Sequence, residues 1–318
     1  MNTTPSISKY PDYTVVGGTG GERETRHTPL FSVIVLNRGG RYRRGDLFAR
    51  LEKLGASDII SVEGETPQYD VEQLTASFPK VRFMLLHRSM NIGHRINIGM
   101  SELKTRYVLV IWNDMTVDGT LAARSIDRMR DEELLCMVPI IRNERGETVP
   151  SIMAPAFFRR LLRVVPKTPI VDEEVTLFPF DYCGFYHRER FLQLHGFDTH
   201  IERPYWQKLD FGFRAFMWGE QIRTNSTVRA QQLSQTEPDD TTPDLGYRRL
   251  YLKALAVRFQ GDYGILPWRR FPGFVLRSGA GVVGSLQLFR EIRRWVYENR
   301  FRFRQNARSV TDLWEYEE

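Results

Sequence analysis

The sequence predicts an α/β fold, a Rossmann-type and mostly parallel sheet flanked by helices, followed by a helical, basic C-terminal extension. Three observations carry this. Between Phe31 and Pro139, short runs rich in Val, Ile and Leu recur at strand length. Segments with apolar residues three and four apart separate them, as the crossover helices of a parallel sheet require. Beyond Pro243 the strand signal yields to helical spacing, with arginines interleaved among aromatic side chains.

In chain order, residues 1–30 are rich in Thr, Ser, Gly and Pro and read as an irregular arm. Within it TVVGGTGG looks like a strand and a phosphate loop. ERETRHTP follows where a dinucleotide fingerprint needs a helix, so the segment reads as flexible. Strands are then expected at FSVIVL (Phe31 to Leu36), DIISVE (Asp58 to Glu63), VRFMLL (Val81 to Leu86), YVLVIW (Tyr107 to Trp112) and ELLCMV (Glu133 to Val138). Helices fit GDLFARLEKLG, YDVEQLTASF, RINIGMSELK and LAARSIDRMR. IIRNERGETVP reads as a hairpin turning at Glu144 to Gly146, and FPFDYCGFYHRERFLQLHGFD as a strand, a helix and a turn. A helix is expected from Tyr205 to Trp218, ended by Gly219, and another over Tyr247 to Phe259. Ligands of such sheets collect at the carboxyl ends of strands, which directs attention to the residues after Leu36, Glu63, Leu86 and Trp112.

Composition excludes several classes. With 42% hydrophobic and 26% charged residues the chain is neither disordered nor fibrous. Two cysteines, Cys136 and Cys183, cannot build a disulfide framework, and no Cys or His spacing suggests zinc. The N-terminus lacks the pattern of a secretory signal and no apolar run approaches ~20 residues, so a cytoplasmic protein is expected. A formal charge of +6 favours an anionic partner.

The order of motifs from Phe31 to Thr236 resembles the family-2 glycosyltransferases of GT-A fold. The first strand ends at Asn37-Arg38, and the second at an acidic residue, Glu63. Asn91-Ile92-Gly93 and Asn97-Ile98-Gly99 stand for the family's Asn-x-Gly pairs. The fourth strand runs into Trp112-Asn113-Asp114 where the family has Asp-x-Asp, so Asp114 alone matches the metal motif. CGFYHRERFLQLHGFD agrees with a small-residue strand, a helix start and Gly-Gly-Phe-Asp. Downstream, Gln207-Lys208-Leu209-Asp210 stands for Glu-Asp-x-Asp. Asp210 and Arg214 are kept, whereas Lys208 occupies the general-base position and Ala230-Gln231-Gln232 lacks the metal-associated His.

The resemblance implies a GT-A-like division into a nucleotide-sugar-binding half (31–139), an acceptor-side half (140–242) and the extension (243–318). Asn37, Arg38, Glu63, Asn91, Gly93, Asn97, Asn113 and Asp114 would bind the nucleotide sugar, and Asp114 would hold Mg²⁺ or Mn²⁺ against the leaving diphosphate. Asp210 would serve as base, with Tyr205, Trp206 and Arg214 on the acceptor side. The implied activity is inverting transfer from a nucleotide-diphospho-sugar to a lipid-linked or polysaccharide acceptor. A non-catalytic GT-A-like binding or scaffold protein is the alternative that Trp112, Lys208 and Gln231 keep open. Two basic stretches, Ala156 to Val165 and Leu288 to Arg304, read as amphipathic helices. The first reads rather as a helix docked on its own domain, the second points to an anionic membrane surface or a partner, and no nucleic acid partner is expected.

Overall fold

The computed structural model describes residues 12–18, 31–38, 44–64, 70–118, 122–158, 161–234, 238–279 and 281–314. Its elements are β1 (Tyr13–Gly17), β2 (Phe31–Leu36), α1 (Arg44–Lys53), β3 (Ala56–Glu63), α2 (Val71–Ser77), β4 (Val81–Leu86), α3 (Ile92–Glu102), β5 (Tyr107–Trp112), β6 (Met115–Asp118), α4 (Ala122–Asp131) and β7 (Cys136–Arg142). There follow β8 (Ile152–Phe158), β9 (Leu161–Lys167), β10 (Gly184–His187), α5 (Arg188–Gln193), α6 (Pro204–Met217), β11 (Ile222–Gln232), α7 (Leu245–Leu250), β12 (Arg258–Gln260), β13 (Tyr263–Ile265), α8 (Phe271–Ser278), α9 (Val282–Glu298) and α10 (Ala307–Asp312).

Among the described residues, nine strands form the main sheet in the order β1-β4-β3-β2-β5-β10-β7-β11-β6. The block β4-β3-β2-β5 is parallel, and β10 enters antiparallel to both β5 and β7. All six residues of β2 and of β5 are buried, as expected of central parallel strands covered on both faces. The chain steps outward from β2 through β3 to β4, then returns to the other side of β2 as β5. Their carboxyl ends therefore flank a topological switch point, where open α/β sheets form ligand crevices.

The expected strands at 31–36, 81–86 and 107–112 are found with the same bounds, while the fifth starts later and runs to Arg142. Three expectations are corrected. The arm contains a strand, because Val15 and Val16 of β1 pair antiparallel with Met84 and Phe83 of β4; residues 1–11 and 19–30 of that arm lie outside the described residues, as do Tyr69 and Leu121 at two helix starts. The first basic stretch is a β-hairpin, with Pro155 opposite Val164. Leu162 and Val164 turn toward the core while Arg163 and Val165 face out, a period of two. Finally, the helix expected over Tyr247 to Phe259 widens into a π-helical segment, Tyr251–Leu255, and ends before β12.

Helix α6 begins with Pro204 at its first turn, where a missing N–H costs nothing, and every residue from Trp206 to Met217 is buried. A helix covered all round is a core element. Phe211 of α6 meets Phe197 at a ring separation of 4.4 Å and Phe191 at 5.7 Å. The C-terminal segment packs back onto it: Arg304 N–H donates to Met217 O, and Trp314 lies edge-on against Phe216. Among the described residues no helix is long and apolar enough to cross a membrane.

Candidate functional site

Because Leu36 and Trp112 are paired in the parallel ladder, the residues that follow them emerge side by side. Asn113 grips both backbone groups of Arg38, its Oδ1 accepting from Arg38 N–H at 3.2 Å and its Nδ2 donating to Arg38 O at 3.2 Å. So held, the Arg38 guanidinium lies over the Trp112 ring at 4.0 Å, with Nε 3.2 Å from Asp114 Oδ1 and its terminal nitrogen on Asp181. Trp112, standing where a metal-binding Asp is expected, is instead a platform for the cation. Its indole N–H donates to Asp181 O at 2.8 Å.

Asp181 and Tyr182 have φ of 49° and 62°, two consecutive non-glycine residues in the left-handed region. Such strain persists where surrounding contacts over-determine it, and it collects at functional sites. Here the contacts are Arg38, the Trp112 indole and the bond from Tyr182 OH to Gln207 Oε1 at 2.9 Å. Burial pushes the Asp181 carboxyl up from its ordinary value, against the opposing charges of Arg38 and Lys208.

Helix α6 separates two residues that the sequence sets two positions apart. Each residue advances about 100° around a helix, so Lys208 and Asp210 point about 200° apart. Lys208, only 5% exposed, turns to the cleft: Nζ donates to Asp239 at 2.7 Å and lies 5.5 Å from the Tyr182 ring. Asp181, Tyr205, Lys208 and Asp239 line a cavity of about 350 Å³ there. A second, of about 520 Å³ and bordered by Gln232 and Ser234, shares Pro150 and Phe180 with it. Asp210 turns the other way, 2.7 Å from Arg214 and 3.2 Å from Lys253. Arg214 also donates to Leu194 O and Gly196 O, and Lys253 and Arg249 both reach Asp198, at 2.9 and 3.0 Å. Arg249, in α7, and Lys253, four residues on in the π-helical segment, thus face one carboxylate.

The structure does not bring the remaining expected ligands to this cleft. Glu63 is buried against Arg44, at 2.7 and 2.9 Å, and accepts from Asn37 and Ser61. Burial pushes its carboxyl up, opposed by Arg44. Asn91 caps α3 and donates to Thr199 O at 2.8 Å, while Gly93 N–H donates to Gln207. Asn97 pairs with both backbone groups of Phe197 at 2.8 and 2.9 Å. These side chains clamp α3 to the loop before α6. Of the acceptor-side residues, Tyr205 reaches the cavity, Trp206 turns away to donate to Thr242 O, and Arg214 lies behind the helix. Sequence reasoning missed Asp181 and Asp239. The first is signalled faintly by a charge inside an apolar run, the second by nothing beyond an acidic pair in a Pro-rich loop.

Asp114 is the expected metal ligand. It is 0% exposed, its Oδ2 accepts from the Ser234 hydroxyl, and its Oδ1 faces Arg38. Among the described residues no three His, Cys, Asp or Glu gather as a metal-binding group. Asp114 and Asp181 share one guanidinium, so the donor set as placed does not fit a divalent cation.

No protein-family model matches the chain, and no curated protein does. Among solved structures it is similar to GalNAc-T7, crystallised with UDP, GalNAc and Mn²⁺, at 13% identity and a TM-score of 0.58 over 89% of this chain. It spans 57% of that chain. TarS of S. aureus matches at 13% identity and a TM-score of 0.49, over 82% of this chain and 42% of the other. The fold is the GT-A glycosyltransferase fold.

Proposed function

We propose that this chain is a glycosyltransferase that moves a sugar from a nucleotide-diphospho-sugar to a lipid-linked or polysaccharide acceptor, with inversion. The observation that supports it is the convergence of Arg38, Lys208, Asp114, Asp181 and Asp239 beside the switch point between β2 and β5. Arg38 and Lys208 are suited to a diphosphate, the guanidinium by its planar fork and the ammonium as a point charge. Asn113 positions the first by holding its backbone. The base expected at Asp210 is reassigned to Asp239, because Asp210 is spent on two buried cations whereas Asp239 lines the cavity.

In the step proposed, an acceptor hydroxyl oxygen forms a bond to the anomeric carbon as its proton passes to Asp239. The bond from that carbon to the diphosphate oxygen breaks, the electron pair leaves with the diphosphate, and Arg38 and Lys208 meet the developing charge. No Mg²⁺ or Mn²⁺ enters the step. With a lipid-linked acceptor, such a transferase works at the cytoplasmic face of a membrane.

A second reading, a GT-A domain that binds without transferring, is favoured by Lys208 at the position of an acid and by the closure of Arg38 on its own carboxylates. Thermal stability measured against UDP-, GDP- and dTDP-sugars, with Mn²⁺ or with EDTA, separates the two. Stabilisation of about 2.7 kcal/mol at a hundred times Kd, equal in EDTA, is the expected result. Stabilisation that needs Mn²⁺ would sink the role given to Arg38. No response to any donor would leave the binding protein.

A further inference from the structure

The basic stretch at Leu288 to Arg304, which the sequence marks as membrane-facing, turns its apolar side inward: Leu288, Phe289, Ile292 and Val296 of α9 are all buried. The exposed apolar side chains lie one element earlier, around the turn from α8 to α9. Leu276 is 87% exposed, Val283 82% and Val282 62%, and Trp268, just before α8, is 44% exposed. Pro272, Gly273 and Arg277 complete the outer face of α8. Burying such side chains elsewhere in the protein would have released about 1.5–3 kcal/mol each, so their exposure together calls for a partner.

Arginines without a counter-charge crowd this tip. Arg248, Arg258, Arg269, Arg270 and Arg277 form no ion pair among the described residues. Burial, and then the neighbouring charges of Arg270 and Arg269, hold Arg258 below its ordinary value, as expected of cations crowded without a counter-charge. A cavity of about 190 Å³ opens beside the turn, lined by Tyr247, Arg248, Tyr251, Phe274 and Arg277. The carboxylate at its rim, Asp244, is engaged with Arg203 and with the N-terminus of α7.

We propose that the α8–α9 turn is a docking surface for an anionic phospholipid bilayer, with Leu276, Val282 and Val283 entering the acyl boundary and the surrounding arginines meeting lipid phosphates. The combination of exposed aliphatic side chains with unpaired arginines matches an interfacial anchor. Arg248 and Arg277, flanking an aromatic-walled cavity, suit a phosphate headgroup. The assignment holds whether or not the cleft transfers sugar, so its test does not use a donor.

The full chain is sedimented with vesicles of pure phosphatidylcholine, and with vesicles containing phosphatidylglycerol. Binding to the anionic vesicles alone is expected, weakening with added salt. Each arginine near the surface is worth about 1 kcal/mol, so the double variant Arg269→Ala/Arg270→Ala should bind about thirtyfold more weakly. Leu276→Asp/Val283→Asp should lose at least about tenfold, with an unchanged thermal midpoint because both side chains face solvent. Should that variant fail to fold, the arginine variant still decides. Absence of binding to anionic vesicles, or binding unaltered in both variants, overturns the proposal. A concentration-dependent dimer abolished by Leu276→Asp/Val283→Asp, without vesicle binding, would assign the surface to a second copy instead.

Discussion

Asp210 lies 2.7 Å from Arg214 and 3.2 Å from Lys253, all three buried, so removing its charge strands two cations out of water. Asp210→Asn should therefore cost about 3–5 kcal/mol of stability, measured by urea unfolding. Asp239 is partly exposed but is the ion-pair partner of the buried Lys208, so Asp239→Asn should cost about 1–3 kcal/mol, less than Asp210→Asn because one cation rather than two loses its carboxylate. The same variant should lower turnover by about 10²- to 10⁴-fold with donor affinity kept, which a kinetic assay beside a donor titration reads. Asp198 supplies a pH dependence. Burial alone would raise its carboxyl, but Lys253, the His200 hydrogen bond and Arg249 outweigh this and hold it well below the usual range. A depressed carboxyl contributes stability above its unfolded value, near about 3.9, and loses it as pH falls toward the folded value. Thermal midpoints should drop on acidification below about pH 4, and Asp198→Asn should flatten that drop while lowering stability at neutral pH.

At the scale of elements, close approaches decide what a helix tolerates. A Cβ built on Gly212 of α6 would run into the backbone carbonyl of Leu177, which has no room to retreat. Gly212→Ala should destabilise by about 1–3 kcal/mol, despite the better helix propensity of alanine, as a thermal melt would show. The strands of the parallel block were legible because six consecutive buried residues leave a continuous apolar run, as FSVIVL and YVLVIW do. The hairpin of β8 and β9 was not. Short apolar runs fit helix and strand alike, and only the pairing of Pro155 with Val164 across the turn selects the second. Strand β1 was hidden for a related reason: its five residues gain an edge partner in β4 that lies far along the chain.

Taken as a whole, the molecule buries both thiols. Cys136 and Cys183 are free, on neighbouring strands or beside them, and burial pushes both thiols up from their ordinary values. Neither should react with a thiol reagent in the native state, and both should react within the urea transition, where their modification reports global unfolding. The sequence by itself determined the α/β class, the parallel block and the strand ends that border the cleft, because hydrophobic periodicity is local and each central strand carries its own signal. It also marked Arg38, Asn113 and Asp114 as strand-end candidates, but that they meet was decided by β5 returning beside β2 after β3 and β4. Only the tertiary structure decided that Lys208 faces the cleft while Asp210 faces away, and that Asp239 joins it from a distant loop. It likewise turned Glu63, Asn91 and Asn97 into clamps. The physical reason is that a side chain's role depends on which partners reach it in space, and those partners come from segments whose sequence distance carries no record of their approach.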